Sequence, residues 1–154
     1  MGLPLHPLAV HAAVVLIPLL ALGAAGYAVL SRFRPQLAWL VWALAVVTPI
    51  AAIVARESGE NLQEVLTAKH YPAAVLHQVA KHADYADTLQ FLSLGLGVVT
   101  ILMLRQVRPD RGPGKRRWVP PLLIVSVVTL AVLNLVFSYL AGDSGAKLVW
   151  TGVL

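Results

Sequence analysis

The sequence predicts an all-α integral membrane protein, a bundle of four transmembrane helices built from two related helical hairpins. Three observations carry that prediction. The 154 residues are 58% hydrophobic and only 12% charged, too apolar a balance for a soluble domain of this size. The apolar residues fall into four long segments. A pattern also recurs: Leu5-His6-Pro7-Leu8-Ala9-Val10-His11-Ala12 returns as Leu76-His77-Gln78-Val79-Ala80-Lys81-His82-Ala83. Each copy leads into two apolar segments with a basic turn between them. Each unit closes on a similar run, Ala55-Arg56-Glu57-Ser58-Gly59 in the first and Ala141-Gly142-Asp143-Ser144-Gly145 in the second. Self-similarity of this kind dictates architecture. It predicts a single transmembrane domain over residues 1–154, with halves at about 5–62 and 76–148 and a linker at about 63–75.

The first span runs from about Val10 to Leu30 and the second from about Leu37 to Ala55. The third covers about Leu89 to Leu104 and the fourth about Val119 to Leu140. Roughly 20 apolar residues cross a hydrocarbon core of about 30 Å, and only helices pair their own backbone groups there. Span one has no basic segment before it, and Arg32 and Arg34 follow it, so it reads as a retained span rather than a cleaved leader. Pro18 and Pro49 lie inside spans one and two, where each frees a carbonyl that needs a partner. Between the halves, Ser58 is placed to cap a short helix bearing Leu62, Val65 and Leu66 on one stripe. This predicts a short interfacial outer helix over the bundle mouth, ended by Tyr71-Pro72. Nothing interrupts a helix from Ala73 to Leu104, so the third helix is expected to start well before its span.

Charge sets the orientation. Arg32 and Arg34 occupy one turn, and Arg105, Arg108, Arg111, Lys115, Arg116 and Arg117 occupy the other. Basic loops face the cytoplasm, which puts both termini outside a cell membrane. The net charge of +5 then belongs to the loops Arg32–Arg34 and Arg105–Arg117, suited to anionic headgroups. The basic loop has no interleaved aromatics and no nucleic-acid motif, so nucleic acid is not an expected partner. A homo-oligomer or other membrane subunits are the protein partners this class admits. All five histidines and every acidic residue except Asp110 fall on the outer side.

His6-Pro7-Leu8-Ala9-Val10-His11, the entry to span three at His82, and the closing Ser144-Gly145-Ala146 with Val149-Trp150 resemble a family of bacterial membrane proteins. That family is grouped as domain of unknown function 2231, and the resemblance covers most of the chain. It implies the four-helix fold and carries no established activity. Ala12 and Ala13 stand where members typically have Phe-Pro, and Asp143 where a histidine is usual.

The outer residues support more than one chemistry. In the repeat His11 matches His82, and Glu57 matches Asp143. Together they make a candidate metal set of two imidazoles and two carboxylates, suited to Zn, Fe or Mn. His6 and His77 lie five residues from His11 and His82, so each pair diverges by about 140° on a helix and one member turns inward. His11 and His82 are the expected ligands, with His6 and His77 supporting them from behind. The same His11 and His82 could ligate haem b axially, although carboxylates at that level argue against it. A bland reading stands beside both. Histidines at helix ends also cap and bond carbonyls, and Glu57 and Asp143 could close helix-ending turns with Gly59 and Gly145 left-handed. There is no cysteine, which excludes disulfides and thiolate chemistry. No H-E-x-x-H, P-loop or G-x-S-x-G is present, so no catalytic residue is assigned. The expected function is metal handling or redox at the outer face, with a cofactor-free accessory or scaffold subunit as the alternative.

Overall fold

A computed structural model describes residues 5–107 and 118–150. Four helices make the fold: α1 (Leu5–Val29), α2 (Arg34–Ala68), α3 (Ala73–Gln106) and α4 (Val119–Trp150), with a 3₁₀ turn at Ser31–Phe33. All four are long and apolar enough to cross a membrane, and no strand occurs among the described residues. Each of α1 and α3 packs against both α2 and α4, and α1 meets α3 across the diagonal. The basic loop at 108–117, expected to face anionic headgroups, lies outside the described residues.

The turns end the helices for local reasons. Arg34 reaches back to α1, donating from Nε to the Tyr27 carbonyl (3.0 Å) and from Nη2 to that of Ala28 (2.9 Å). These are carbonyls that the end of a helix leaves unpaired. Pro35 then opens the first turn of α2, where its missing N–H costs nothing. At the opposite end α2 closes with His70 in the left-handed region (φ 56°). The His70 and Tyr71 amides donate to the Thr67 and Leu66 carbonyls, and Pro72 starts α3.

One expected element is absent. Residues 58–68 do not form a separate interfacial helix; they continue α2, a rod of 35 residues. At about 1.5 Å per residue it exceeds a hydrocarbon core by many residues. Ser58 does not cap, because its hydroxyl donates to the Ala55 carbonyl one turn back (2.8 Å) within an unbroken helix. Gly59 and Gly145 are likewise helical rather than left-handed. α3 does extend back to Ala73 as one helix.

The buried positions follow a constant spacing. Ala13, Ile17, Leu20, Ala21, Ala24, Tyr27 and Ala28 are the buried residues of α1. Those of α3 are Leu89, Ser93, Leu96, Gly97, Thr100, Met103 and Leu104, each 76 positions later. Val41, Ala45 and Thr48 of α2 match Val127, Ala131 and Asn134 of α4, each 86 later. Even the polar bonds correspond. Thr48 donates to the Leu16 carbonyl (3.3 Å), and Asn134 donates to that of Leu92 (3.1 Å), which is 76 beyond Leu16. This spacing moves the register. Aligning the histidine pairs set His11 against His82, whereas burial sets His6 against His82 and His11 against Asp87. Two histidines five apart occur in both segments, so the motif alone could slide by five residues; packing cannot.

The helices draw together where side chains are smallest. A Cβ on Gly97 would lie 2.7 Å from the Ala45 carbonyl oxygen and 2.9 Å from Pro49 Cγ. Pro49 has no N–H, so it leaves this same Ala45 carbonyl without its helical partner. α3 therefore crosses α2 where proline has already removed a helical hydrogen bond, and only glycine fits the crossing. Gly97→Val should cost about 1–3 kcal/mol through overpacking and lower the unfolding temperature in detergent. Gly95→Val, whose Cβ would first meet Leu130 at 4.0 Å, should leave it nearly unchanged.

Candidate functional site

The start of α1, the end of α4 and the His70 turn lie at one end of the bundle, and two matched corners are built there. In the first, His6 of α1 stands against α2. Its Nδ1 is 3.2 Å from both the Ala55 carbonyl and Ser58 Oγ. In the second, His82 of α3 stands against α4, with Nδ1 3.0 Å from Ser144 Oγ. Ser144 in turn donates to the Ala141 carbonyl (3.0 Å), as Ser58 does to that of Ala55.

The hydrogen-bond directions follow from this arrangement. A carbonyl only accepts, and each serine hydroxyl already donates to a carbonyl of its own helix. The proton therefore sits on Nδ1 in His6, which donates to oxygen. The same serine geometry gives His82 the same tautomer. Nε2 of each ring is left with a lone pair and no partner among the described residues. Neither Nε2 is fully buried.

Glycine makes room for the rings. A Cβ on Gly59 would lie 3.0 Å from His6 Cε1, and one on Gly145 would lie 3.0 Å from His82 Cε1. Each imidazole thus rests on helix backbone that a larger residue would push away. Under the pair, Ala13, Ile17, Ala52, Leu89 and Ala141 form the apolar floor, with Tyr85 meeting Phe137 edge to face at its margin.

Both histidines precede the apolar stretches expected from about Val10 and about Leu89, and both are half-buried. Burial lowers the proton affinity of each; for His82 the nearby His6 charge lowers it further, while hydrogen bonds to Ala55 and Ala141 oppose the shift. Both are thus held toward the neutral form.

The other expected site residues are placed differently. His11, expected to face inward, is exposed and its Nδ1 bonds the Pro7 carbonyl of its own helix. His6, expected behind it, takes the inward place. His77 and Glu57 are exposed. Asp143 is paired with Lys147 at 2.6 Å. Asp87, matched to His11, accepts from Arg56 (2.7 Å), which also holds Glu60 (2.7 Å). The set His11, His82, Glu57 and Asp143 is therefore not brought together, and no group of three or more His, Asp or Glu fit to hold an ion occurs among the described residues. Ser58 and Ser144 were visible in the sequence as Ser-Gly pairs in matching places. Of their partner histidines, His82 was among the expected ligands, whereas His6 was expected only behind His11, because the register was five residues off.

The model of a family described as "Predicted membrane protein (DUF2231)" matches residues 2–154. No curated protein and no solved structure matches the chain.

Lowered histidine pKa values have a definite consequence for stability. As pH falls below the ordinary value of 6.5, the unfolded chain takes up protons before the folded one. The contribution of the neutral histidines is complete above that pH and is lost as pH falls through the folded values. In the presence of chelator, the protection factors of amides at 55–59 and 141–145, taken against intrinsic exchange at each pH, should fall between pH 7 and pH 5. Replacing His6 and His82 together by Gln should flatten that dependence; an unchanged slope would assign it to other groups.

Proposed function

The chain belongs to the DUF2231 family of predicted membrane proteins, and from that premise we propose that it binds a metal-centred ligand through His6 and His82 at its extracytoplasmic face. One observation carries this reading: both rings are fixed by Nδ1 on a serine–carbonyl pair, with Nε2 unengaged. A ligating histidine characteristically gives its other ring N–H to an oxygen of the protein, which sets the tautomer and the ring plane. Here that preparation is made twice, in matched places. We infer from the matched burial and bonds that the two hairpins are copies of one unit, with the ligand pair at their shared end.

Haem b is a second reading for the same pair. Glu57 is exposed and Asp143 is held by Lys147, so the carboxylates that argued against iron porphyrin do not crowd these rings. An ion bound by the pair with donors from solvent or a delivered ligand is the simpler fit to a closely packed floor of alanines, Ile17 and Leu89. Neither case assigns a reaction. A protein with neither ligand would instead be an accessory or scaffold subunit.

Gently purified protein should contain a metal in stoichiometric amount by elemental analysis, without the intense absorption of haem. His6→Ala/His82→Ala should lose it and His11→Ala should keep it. A sharp haem band lost in the same double variant selects the second reading. Absence of metal and haem from the wild type sinks both.

The orientation proposed from charge puts the histidine end outside the cell membrane and the basic turns in the cytoplasm. With no native cysteine, single introduced cysteines read it directly. Thr67→Cys should react with a membrane-impermeant maleimide in intact cells, and Arg32→Cys only after lysis. The reverse pattern would invert the topology.

A further inference from the structure

We propose that the second hairpin holds an ordered water molecule inside the bundle, on the face of α4 that carries Asn134 and Ser138. Among the described residues, four buried side-chain atoms have no hydrogen-bond partner: Gln90 Oε1, Thr100 Oγ1, Asn134 Oδ1 and Ser138 Oγ. All four belong to α3 and α4. Lipid offers no compensating partner, so an unpaired polar atom is costly at this depth. Buried water is the usual remedy where two to four polar groups converge with room between them.

Helix geometry brings Asn134 and Ser138 together. They stand one turn apart on α4, hence on one face, with Cβ atoms about 5–6 Å apart. Asn134 is fully buried. Both its amide protons are committed, to the Leu92 carbonyl at 3.1 Å and the Leu130 carbonyl at 2.8 Å. This fixes which end of the amide is oxygen and leaves Oδ1 to accept. Ser138 has a hydroxyl proton to give. A water between them donates to Asn134 and accepts from Ser138. Ser93, beside the Leu92 that Asn134 bonds, is fully buried on α3. Its hydroxyl gives its proton to the Gln90 carbonyl (2.9 Å) and keeps a lone pair for the water's second proton.

The first hairpin supplies the comparison. At the spacing that relates the buried positions, Ser93 matches Ile17, Ser138 matches Ala52 and Asn134 matches Thr48. The one hydroxyl of that set already donates to the Leu16 carbonyl, and none of its side-chain atoms is left unpartnered. Serine in place of isoleucine both makes room and adds an acceptor. Polar groups and space therefore occur together in one hairpin and not in its match. Leu89 and Ala141 of the apolar floor lie one turn nearer the histidines and close the site toward the His82–Ser144 corner. Gln90 shares the side of α3 that Asp87 and Gly97 turn toward α2, and Thr100 lies two turns beyond Ser93, so neither belongs to this set.

The test is a crystal structure of the full chain grown from lipid, at a resolution that shows ordered water. A water should lie about 2.5–3.0 Å from both Asn134 Oδ1 and Ser138 Oγ, with none between Thr48 and Ala52. Ser93→Ile/Asn134→Thr/Ser138→Ala, which copies the first hairpin, should fold and leave that place dry. Nuclear magnetic resonance in detergent gives a second readout that does not depend on crystals. The Asn134 side-chain amide should show cross-relaxation with a long-lived water. Ser93→Ile/Ser138→Ala, which keeps Asn134, should lose that signal, and Thr100→Val should keep it. A direct Ser138–Asn134 hydrogen bond with nothing between them would overturn the proposal, as would a wild-type Asn134 amide with no bound-water signal. A water found equally beside Thr48 would overturn its confinement to the second hairpin.

Discussion

A helix crossing lipid satisfies its backbone internally, so its choice of neighbour falls to the relief of its side chains. In this protein that constraint acts through close approach at small residues. Alanines at 13, 21, 24, 28, 45, 52, 131 and 141 line the buried faces, and Gly97 lets α3 cross α2 against a carbonyl that Pro49 leaves unpaired. The same economy of volume recurs at Gly59 and Gly145, where it admits an aromatic ring instead of a neighbouring helix. Close packing and the histidine corners are therefore one design, and a bundle held further apart would lose both.

The polar groups within the membrane fit that account. Thr48 and Asn134 bond carbonyls on the neighbouring helix at matched positions, a modest contribution each but one that fixes rotation about the helix axis. Rotation decides which face of α1 and α3 looks inward, and so whether His6 or His11 meets its partner helix. A hydrogen bond three turns away thus bears on the tautomer of an imidazole at the bundle end.

Charge is arranged to leave that end electrically quiet. Arg56 takes two carboxylates and Lys147 takes a third. Exposed ion pairs of this sort add little stability, yet they remove acidic groups from competition for the histidines. The lowered proton affinity of both imidazoles follows from their burial. His70 is the one described non-glycine residue with a left-handed backbone, and it spends its position on the turn between α2 and α3.

The sequence by itself determined the membrane class, the four helices, the unbroken run of α3 back to Ala73 and the family. These follow from composition and apolar length, which act locally and leave a one-dimensional trace. It also marked Ser58-Gly59 and Ser144-Gly145 as equivalent. Its letters favoured the wrong register, because aligning the pairs matches both histidines whereas the packing register matches only His6 with His82. It could not tell a serine that caps a helix from one that bonds back within it, so α2 was expected to stop where it continues. Only tertiary packing decided those points. Burial selects one face of each helix, and that face carries His6 rather than His11, sets it on Ser58, and turns Glu57 away.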